Sequence, residues 1–539
     1  MKANLILKGN AIFDSITPNP FKGFVAVKNN KIIGIGSPQD MENFVDADTK
    51  IINAGDKLIM SSFYDSHTHL ILAGMYKTYV NLGKATSEEE AAKMLKDFVD
   101  VNPNLMTEWI LGFNWYHVFW NNKQLPTKYT LDKYFPDKPV FLLNAEAHGA
   151  WVNSKALEVA GINANTPDPL YGEIGRLENG EPSGFLYETA LGLVGVLALA
   201  SSMEKDKRYV KAYTKNAIEF GITSVNDMQP YFGLNMGDYE AYRELEDNGE
   251  LHVRIHSAAD LLGDLQKTAE LRRKHNTDKR KITLLKQFMD GVPTTHTALM
   301  LNDYADSPGN KGLPLSDLDA IAKAVEEAHK LEFSIRLHCC GDGAARMALD
   351  FYESAIKKFG QNKARHGIEH FELVHPDDIQ RVRGLGIIPS VQPEHLAITQ
   401  TFDANPYRMT LGEARAEKTW PLKNLYDAAG VLALGSDCPV VDNDPFIEIY
   451  RAVTRLHNDG EPKGGWNPKE KLTMYEVLRS YTYGSAYGTS RENELGTLEI
   501  GKFADIMVLD KNLFNIEVSE IRDTKVDMTI MDGQIVFER

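Results

Sequence analysis

The segment LIMSSFYDSHTH (residues 58–69) carries more information about the fold class than any other part of this chain. Its first three residues predict a buried strand, and His67 and His69 follow that run. Side chains on a strand alternate between two faces, so these two histidines point the same way. Two imidazoles at this spacing can bind one metal ion. Because such pairs also arise by chance as structural residues, the rest of the sequence must show whether this pair binds a metal ion.

Composition limits the class of protein before any motif is considered. The 539 residues are too many for one small core, so we expect more than one domain. The net charge of −16 argues against nucleic acid or anionic membranes as partners. The chain start lacks a secretory apolar region, the apolar stretch at 189–202 is too short to span a bilayer, and three cysteines cannot form a disulfide framework. We expect a cytoplasmic protein.

The two ends of the chain have the same character. Residues 1–57 and 493–539 contain short strand-like runs separated by turns. The pairs Asn29-Asn30 and Asp532-Gly533 suit the tight turns of hairpins. Neither end is large enough to bury a face alone, so the sequence predicts one composite β-sandwich domain built from both.

Between the ends, strand-like runs alternate with helical ones. A helix is predicted to start at Ser316-Asp317, and another to end at Gly221. Eight strands that alternate with helices predict a (β/α)8 TIM barrel at 58–70 and 216–492. The strand candidates are Leu58–Tyr64, Thr223–Asn226, Val253–His256, Leu284–Phe288, Ser334–Leu337, Gly367–Glu369, Ile387–Val391 and Leu432–Gly435.

The gap after the first barrel strand is too long for one crossover. Residues 71–215 therefore predict an α/β insertion that covers the active-site mouth, with a helix start at Ser87 and a strand at Val140–Leu143. The insertion also contains a run of aromatic residues. Such residues usually form part of a hydrophobic core. If they lie over the barrel mouth instead, they would line an apolar pocket, where we predict that Trp115 contacts substrate. The run comprises Trp109, Phe113, Trp115, Tyr116, Phe119 and Trp120.

Residues that can bind metal recur at one end of successive predicted strands. In a barrel, chemistry collects at the carboxyl ends of the strands. Chance is a poor account of four histidines, a lysine and an aspartate that all lie near such ends. They are His67 and His69 on the first strand, Lys286 on the fourth, His338 on the fifth, His370 on the sixth and Asp437 on the eighth.

Each of these residue types has a chemical task. Imidazole and carboxylate donors suit Zn²⁺ or a similar ion, which lowers the pKa of bound water towards neutrality. Asp437 can orient that water and carry its proton to the leaving group. Lys286 as an ammonium would repel the ions, whereas its carbamate, formed with CO₂, can bridge two of them. The alternative is that Lys286 is a surface or salt-bridged lysine. Its apolar neighbours Leu285 and Phe288 make this alternative less favourable.

At these residues the chain resembles the amidohydrolase superfamily, and specifically amidohydrolase family 3, whose members include N-substituted formamide deformylases. The match covers nearly the whole length and rests on eight motifs and a closing segment. They are DSHTH at 65–69, HGAWVNSKAL at 148–157, GFLYE at 184–188, KQFMDG at 286–291, His338 with Gly341-Asp342, IEH at 368–370, QPEH at 392–395, GSD at 435–437 and GKFAD at 501–505.

The resemblance implies a metal centre and an activity. His67 and His69 would bind one Zn²⁺, His338 and His370 a second, and carboxylated Lys286 would bridge them. It further implies that Asp437 serves as ligand and base, that the substrate is a small molecule and that the chain forms a homodimer. The implied reaction is hydrolysis of a C–N bond in an amide, N-substituted formamide or cyclic amide.

Other residues are candidates for contacts to substrate. His148 would hydrogen-bond a substrate carbonyl or contact another domain. His395 follows the seventh strand on the catalytic side and, with Gln392, is expected to meet substrate. His296 stands where the family often has arginine and is expected to face the substrate. The substrate specificity of relatives therefore cannot be carried over to this chain. The three thiols, Cys339, Cys340 and Cys438, adjoin the site in sequence; we expect buried thiols, with soft metal ligands as the alternative.

Two other functions remain open at this point. In the first alternative, the same metal site hydrolyses an ester, a lactone or a phosphoester, because one fold hosts many reactions. A non-catalytic scaffold is the other alternative, although such a protein has no need of the complete ligand set.

Overall fold

The computed structural model describes residues 1–105, 108–117, 120–145, 149–169, 172–229, 236–399 and 401–539. Strands are numbered along the chain. They are β1 (Leu5–Phe13), β2 (Phe21–Lys28), β3 (Lys31–Gly36), β4 (Lys50–Asn53), β5 (Leu58–Ser61), β6 (Phe63–Thr68), β7 (Val80–Asn81), β8 (Ile110–Trp115), β9 (Val140–Asn144), β10 (Gly149–Val152), β11 (Gly172–Arg176), β12 (Pro182–Glu188), β13 (Ile222–Asp227), β14 (Arg254–Asp260), β15 (Arg280–Phe288), β16 (Ser334–Cys339), β17 (Gly367–His370), β18 (Ile388–Val391), β19 (Ala433–Leu434), β20 (Ile506–Leu509), β21 (Val526–Met531) and β22 (Gln534–Glu538).

The helices are numbered in the same way. They are α1 (Leu70–Thr78), α2 (Glu88–Val101), α3 (Lys128–Tyr134), α4 (Ser154–Val159), α5 (Gly192–Ala198), α6 (Met203–Glu219), α7 (Tyr239–Asp247), α8 (Leu265–Lys274), α9 (Leu318–Lys330), α10 (Asp342–Phe359), α11 (Pro376–Leu385), α12 (Tyr407–Leu411), α13 (Glu413–Ala416), α14 (Leu422–Ala429), α15 (Pro445–Thr454), α16 (Met474–Arg479) and α17 (Ser485–Gly488).

The chain divides into two compact units. The first comprises Met1–Leu70, Thr214–Pro230 and Tyr242–Arg539, and the second comprises Ile71–Tyr213 and Tyr231–Ala241. In the described part of the chain, no helix is both long and apolar enough to cross a membrane.

Both ends of the chain pair in one sheet of the first unit. Its strand order is β22-β21-β20-β5-β1-β2-β3, and β4 pairs with β1. Asp532 and Gly533 have φ angles of 51° and 72°, the left-handed pair that a tight hairpin turn needs. Leu7, Val25 and Ile506 lie in one apolar cluster of this sheet, so residues from both ends share a core.

The other large sheet of the first unit is the barrel. Its order is β6-β13-β14-β15-β16-β17-β18-β19, and each strand runs parallel to the next. A parallel bridge between Thr68 and Cys438 joins the last strand to the first. The predicted TIM barrel is therefore confirmed.

The predicted first barrel strand, Leu58–Tyr64, differs from the observed one. Residues Leu58–Ser61 form β5 in the terminal sheet, and only Phe63–Thr68 belongs to the barrel. The backbone changes partners here, because Ser62 donates to the carbonyl of Asp505 whereas Phe63 donates to that of Gly221. The strand-like segment Leu58–Tyr64 thus contributes to two sheets in turn, and periodicity alone does not reveal this change.

Close approach of backbone at the barrel seam requires glycine. A Cβ atom at Gly435 would lie 2.3 Å from the backbone nitrogen of His67. The amide of Asp437 donates to the carbonyl of His67 at 2.7 Å, and the amide of His69 donates to that of Cys438 at 2.8 Å. Gly435 therefore lets the last strand lie directly beside the first histidine pair.

Two helix starts agree with the sequence signals. Asp317 caps α9 by accepting from the amides of Asp319 and Ala320, and Ser87 caps α2 by accepting from that of Glu90. Both caps satisfy amides that a helix start leaves without intrahelical partners.

The second unit contains a mixed six-stranded sheet. Its order is β11-β12-β10-β9-β8-β7, parallel from β7 to β9 and antiparallel beyond. Trp115 is fully buried in its core, where its ring lies 5.5 Å from that of Trp120 and 5.9 Å from that of Trp151. The aromatic run therefore forms core, while Phe119 lies outside the described residues.

Candidate metal centre

Asp437 is the centre of the predicted ligand set in the first unit. Its Oδ1 atom lies 3.2 Å from Nε2 of His67 and 3.2 Å from Nε2 of His69. Its Oδ2 atom lies 4.0 Å from Nδ1 of His370 and 3.6 Å from Nε2 of His395. In a tetrahedral zinc site, ligand atoms lie about 3.4 Å from one another. The two separations of 3.2 Å, to His67 and His69, therefore have the size expected for ligands of one ion.

The four predicted histidine ligands form one contiguous cluster. The ring centroid of His67 lies 5.4 Å from that of His69 and 5.0 Å from that of His370, and the rings of His370 and His338 are 4.2 Å apart. His67, His370 and Asp437 offer ligand atoms within 4.8 Å of one another, all buried. The carboxyl ends of β6, β16 and β17 thus bring the imidazoles to one place.

Several buried polar atoms of this cluster have no hydrogen-bond partner among the described residues. Folded proteins rarely bury such atoms without a partner. A divalent cation would satisfy imidazole nitrogens and carboxylate oxygens, so the donor set fits a metal ion. These atoms are Nε2 of His67, Nδ1 of His338, Nδ1 of His370, Oδ1 of Asp437 and Nζ of Lys286.

Glu369 orients the first histidine. Its Oε2 atom accepts a hydrogen bond from Nδ1 of His67 at 2.6 Å, and Nε of Arg336 lies 3.3 Å from its Oε1 atom. Because Nδ1 carries the proton in this arrangement, Nε2 of His67 keeps its lone pair for a metal ion.

Left-handed backbone at two residues shapes the site. His370 has a φ angle of 69°, and Asp437 has one of 60°. Such φ angles are uncommon for residues other than glycine and cluster at functional sites. At His370 the turn ends the alternation of the strand, so that Glu369 and His370 both reach the ligand cluster.

Lys286 lies at the same end of the barrel and is fully buried on β15. Its Nζ atom is 5.0 Å from the ring centroid of Phe288. Burial lowers the pKa of the amine, and the charges of Glu369 and Asp437 act in the opposite direction. The net effect lowers the pKa, so the uncharged amine of Lys286 is more accessible at this position than in water.

Electrostatics set the other protonation states. Burial would raise the pKa of Asp437, but His67 and His69 hold it well below its usual range. Burial lowers the pKa of His338 and of His370 well below the ordinary value. An anionic carboxylate therefore lies beside two neutral imidazoles, those of His338 and His370, which are forms that bind metal. At His67 burial and Lys286 lower the pKa, but Asp437 and Glu369 outweigh them and raise it.

Asp290 fixes the end of β16. Its carboxylate accepts from the amides of Leu299, Cys340 and Gly341, at 2.9, 3.1 and 2.9 Å. Burial raises its pKa to about 8. Since its Oδ1 atom is 4.0 Å from Nε2 of His338, Asp290 also limits where that imidazole can point.

The three cysteines are buried, as the sequence predicts. The Sγ atom of Cys340 lies 3.5 Å from Nε2 of His338. Cys340, His370 and Glu372 also offer ligand atoms within 4.8 Å of one another.

The predicted substrate contacts have different surroundings. Gln392 is 1% exposed, and neither end of its carboxamide has a hydrogen-bond partner in the described part of the chain. His296 pairs with Asp306, with Nε2 2.8 Å from Oδ1. Trp115 donates its indole N–H to the carbonyl of Leu142 inside the second unit. His148 lies outside the described residues, so its predicted role is untested.

Sequence reasoning gave no role to Glu369, Glu372 or Asp290. For Glu369 and Glu372 the available signal was an acidic residue one or two positions from the predicted ligand His370, whereas Asp290 stands four positions after Lys286, just beyond β15. Strand alternation argued against it, because Glu369 should face away from His370.

Comparison with known proteins places the chain in a family. The amidohydrolase family model matches residues 50–537. The protein LONG AFTER FAR-RED 3 of Arabidopsis thaliana is 31% identical over 99% of this chain and 92% of its own length. N-substituted formamide deformylase of Arthrobacter pascens is 27% identical over 80% of this chain and 79% of its own. The chain therefore belongs to the amidohydrolase family and is a metal-dependent hydrolase.

A solved structure agrees with this assignment. A metal-dependent hydrolase from Pyrococcus horikoshii OT3 superimposes with a TM-score of 0.81 and 25% identity, over 96% of this chain and 99% of that chain. The family resemblance of the sequence motifs is thus confirmed by sequence and by structure.

Proposed function

We propose that this amidohydrolase cleaves a carbon–nitrogen bond in a small-molecule amide, N-substituted formamide or cyclic amide. The proposal rests on the position of Asp437, whose carboxylate oxygens lie between 3.2 and 4.0 Å from nitrogens of four histidines. A carboxylate in this setting can both bind a metal ion and move a proton. The similarity to N-substituted formamide deformylase supports the choice of bond.

Two Zn²⁺ ions per chain are part of the proposal. His67, His69 and Asp437 would hold one, His338 and His370 the other, and Lys286 would lie between them. When bound, such ions acidify a water molecule and polarise a carbonyl group. The buried imidazole nitrogens that have no hydrogen-bond partner among the described residues support this assignment.

Lys286 is proposed to act as a carbamate. An uncharged amine attacks CO₂, an N–C bond forms, one proton leaves, and the product is an anion able to bridge two cations. The buried position of Nζ and its lowered pKa support this form. A ¹³C NMR carbamate signal from protein incubated with ¹³C-bicarbonate, absent in Lys286→Ala, is the expected result; its absence from the wild type would exclude the carbamate.

Asp437 and Gln392 have separate tasks in this proposal. Asp437, anionic because His67 and His69 hold its pKa low, accepts a proton from the attacking water. That proton finally reaches the leaving nitrogen, so the C–O bond forms as the C–N bond breaks. The buried carboxamide of Gln392 has a donor and an acceptor that no described residue pairs with, and both could hydrogen-bond the amide edge of a substrate.

A panel of matched substrates tests the proposal. Each acyl group, formyl included, is offered as an amide and as an ester, with phosphoesters added to the panel, after chelation of the protein and again after addition of Zn²⁺. We expect zinc-dependent hydrolysis of at least one amide or formamide. Hydrolysis of esters or phosphoesters alone, or hydrolysis unaffected by chelation, would overturn the proposal.

Two variants test whether the activity depends on Asp437. Asp437→Asn removes the proton acceptor and should lower kcat by at least about 10²-fold. Asp442→Asn makes the same chemical change at an exposed carboxylate five positions along the chain and should leave kcat unchanged. Equal rates for the two variants would show that Asp437 has no catalytic role.

A further inference from the structure

Glu372 links the end of β17 to His395. Its Oε1 atom lies 3.5 Å from Nδ1 of His395, and Nε2 of the same imidazole lies 3.6 Å from Oδ2 of Asp437. The ring of His395 also stacks on that of His370, with centroids 5.6 Å apart and planes at 14°. The imidazole therefore lies between two carboxylates, one on each ring nitrogen.

Glu372 is itself held firmly. The hydroxyl group of Tyr407 donates to its Oε2 atom at 2.5 Å, and the amide of Trp420 donates to its backbone carbonyl at 2.6 Å. Asn405, just before α12, donates to the carbonyl of Leu396, next to His395, at 2.9 Å. The carboxylate and the imidazole are thus fixed by the same short segment.

We propose that Glu372, fixed by Tyr407, is a positioning residue that directs Nε2 of His395 towards Asp437, so that His395 passes the proton from Asp437 to the leaving nitrogen. Glu372 accepts a hydrogen bond from the Nδ1–H of His395, which leaves the Nε2 lone pair of that imidazole to take the proton from Asp437. One proton leaves water and one reaches the amine, so the count balances. This inference rests on the proposed function.

The same carboxylate has a competing assignment. Glu372, His370 and Cys340 also lie close enough together to hold a cation. Both oxygens of Glu372 already face partners, namely Tyr407 and His395. That pairing favours a positioning role over direct metal binding. Long contacts of this kind commonly shorten when substrate binds.

Leaving-group dependence separates proton delivery from a structural role. The test compares wild type, Glu372→Gln and Tyr407→Phe on one acyl group with an alkylamine or a nitrophenol as leaving group. An alkylamine needs a proton to leave, whereas nitrophenolate does not. We expect Glu372→Gln to lower kcat about 10²-fold for the alkylamide and Tyr407→Phe about tenfold, with little change for the ester and in KM.

Two controls distinguish a positioning role of Glu372 from a structural one. Tyr352→Phe removes another buried tyrosine hydroxyl, which donates to the carbonyl of Gly367, and should change neither rate. Metal content of Glu372→Gln should equal that of the wild type. Equal losses on both substrates, or lost metal, would overturn the positioning role. A wild-type protein that cleaves no amide would instead refute the proposed function.

Discussion

The Nδ1 atom of His67 lies 2.6 Å from Oε2 of Glu369, and both side chains are fully buried. A carboxylate that holds the far nitrogen of an imidazole fixes the ring and raises its basicity as a metal ligand. The Nε atom of Arg336 lies 3.3 Å from the other oxygen of the same carboxylate. The first histidine is therefore oriented by the barrel interior before any ion binds.

Replacing this carboxylate should weaken metal binding. Glu369→Gln keeps the shape of the side chain but loses its charge, so we expect metal affinity to fall by about 10- to 100-fold. Metal retained after dialysis against a chelator series measures the change, with circular dichroism to check the fold. Retention equal to that of the wild type would mean that Glu369 does not support a ligand.

The sequence predicted the candidate ligands, whereas it did not predict the side chains that hydrogen-bond to them. His67, His370 and Asp437 stand near strand ends, and that placement brought them together. Glu369 escaped prediction because His370 adopts a left-handed backbone, which no spacing rule reveals. Glu372 and Tyr407 are 35 residues apart and meet only through the fold.

The fold was predictable to a similar degree. Alternation of strands and helices predicts the barrel, and the caps at Ser87 and Asp317 start helices where expected. The boundary between β5 and β6 was missed, because Ser61 and Ser62 lie between strand-forming residues and no glycine or proline marks a turn in Leu58–Tyr64. Only hydrogen bonds to different partners divide that run between two sheets.

A buried ion pair joins barrel strand β14 to the terminal sheet. Arg254 is fully buried and makes two hydrogen bonds to Asp505, at 2.7 and 2.9 Å. Arg254→Met leaves that carboxylate buried without its partner and should lower the free energy of unfolding by about 3–5 kcal/mol. Urea unfolding followed by fluorescence measures the change.

Two further variants test the explanation. Arg243→Met breaks a partly exposed pair with Asp247 and should change stability by less than about 1 kcal/mol. The double variant Arg254→Met/Asp505→Leu removes both charges and should be more stable than Arg254→Met alone. Additive losses in the double variant would refute the paired-charge account.

A buried histidine pair should make stability depend on pH. Nε2 of His366 lies 2.9 Å from Nδ1 of His329, and burial lowers the pKa of His366 to about 3. In the unfolded chain an imidazole has a pKa of about 6.5, so between pH 6.5 and 3 the unfolded state binds the extra proton. The free energy of unfolding therefore falls as the pH falls through this range.

The variant His366→Gln cannot take up that proton. Its free energy of unfolding should depend less on pH, by about 1 kcal/mol per pH unit between pH 6 and 4. Urea unfolding of both proteins at several pH values gives the two slopes. Parallel curves for wild type and variant would show that His366 does not contribute to the acid sensitivity.

The most direct test of a metal-dependent amidohydrolase centre is metal content per chain, measured by plasma mass spectrometry. Wild type and Lys286→Ala are purified from cultures supplemented with bicarbonate. The account predicts close to two divalent ions in the wild type and fewer in the variant, because carboxylated Lys286 bridges the pair. One ion in both would contradict the bridged pair, and no bound metal in either would contradict the catalytic assignment itself.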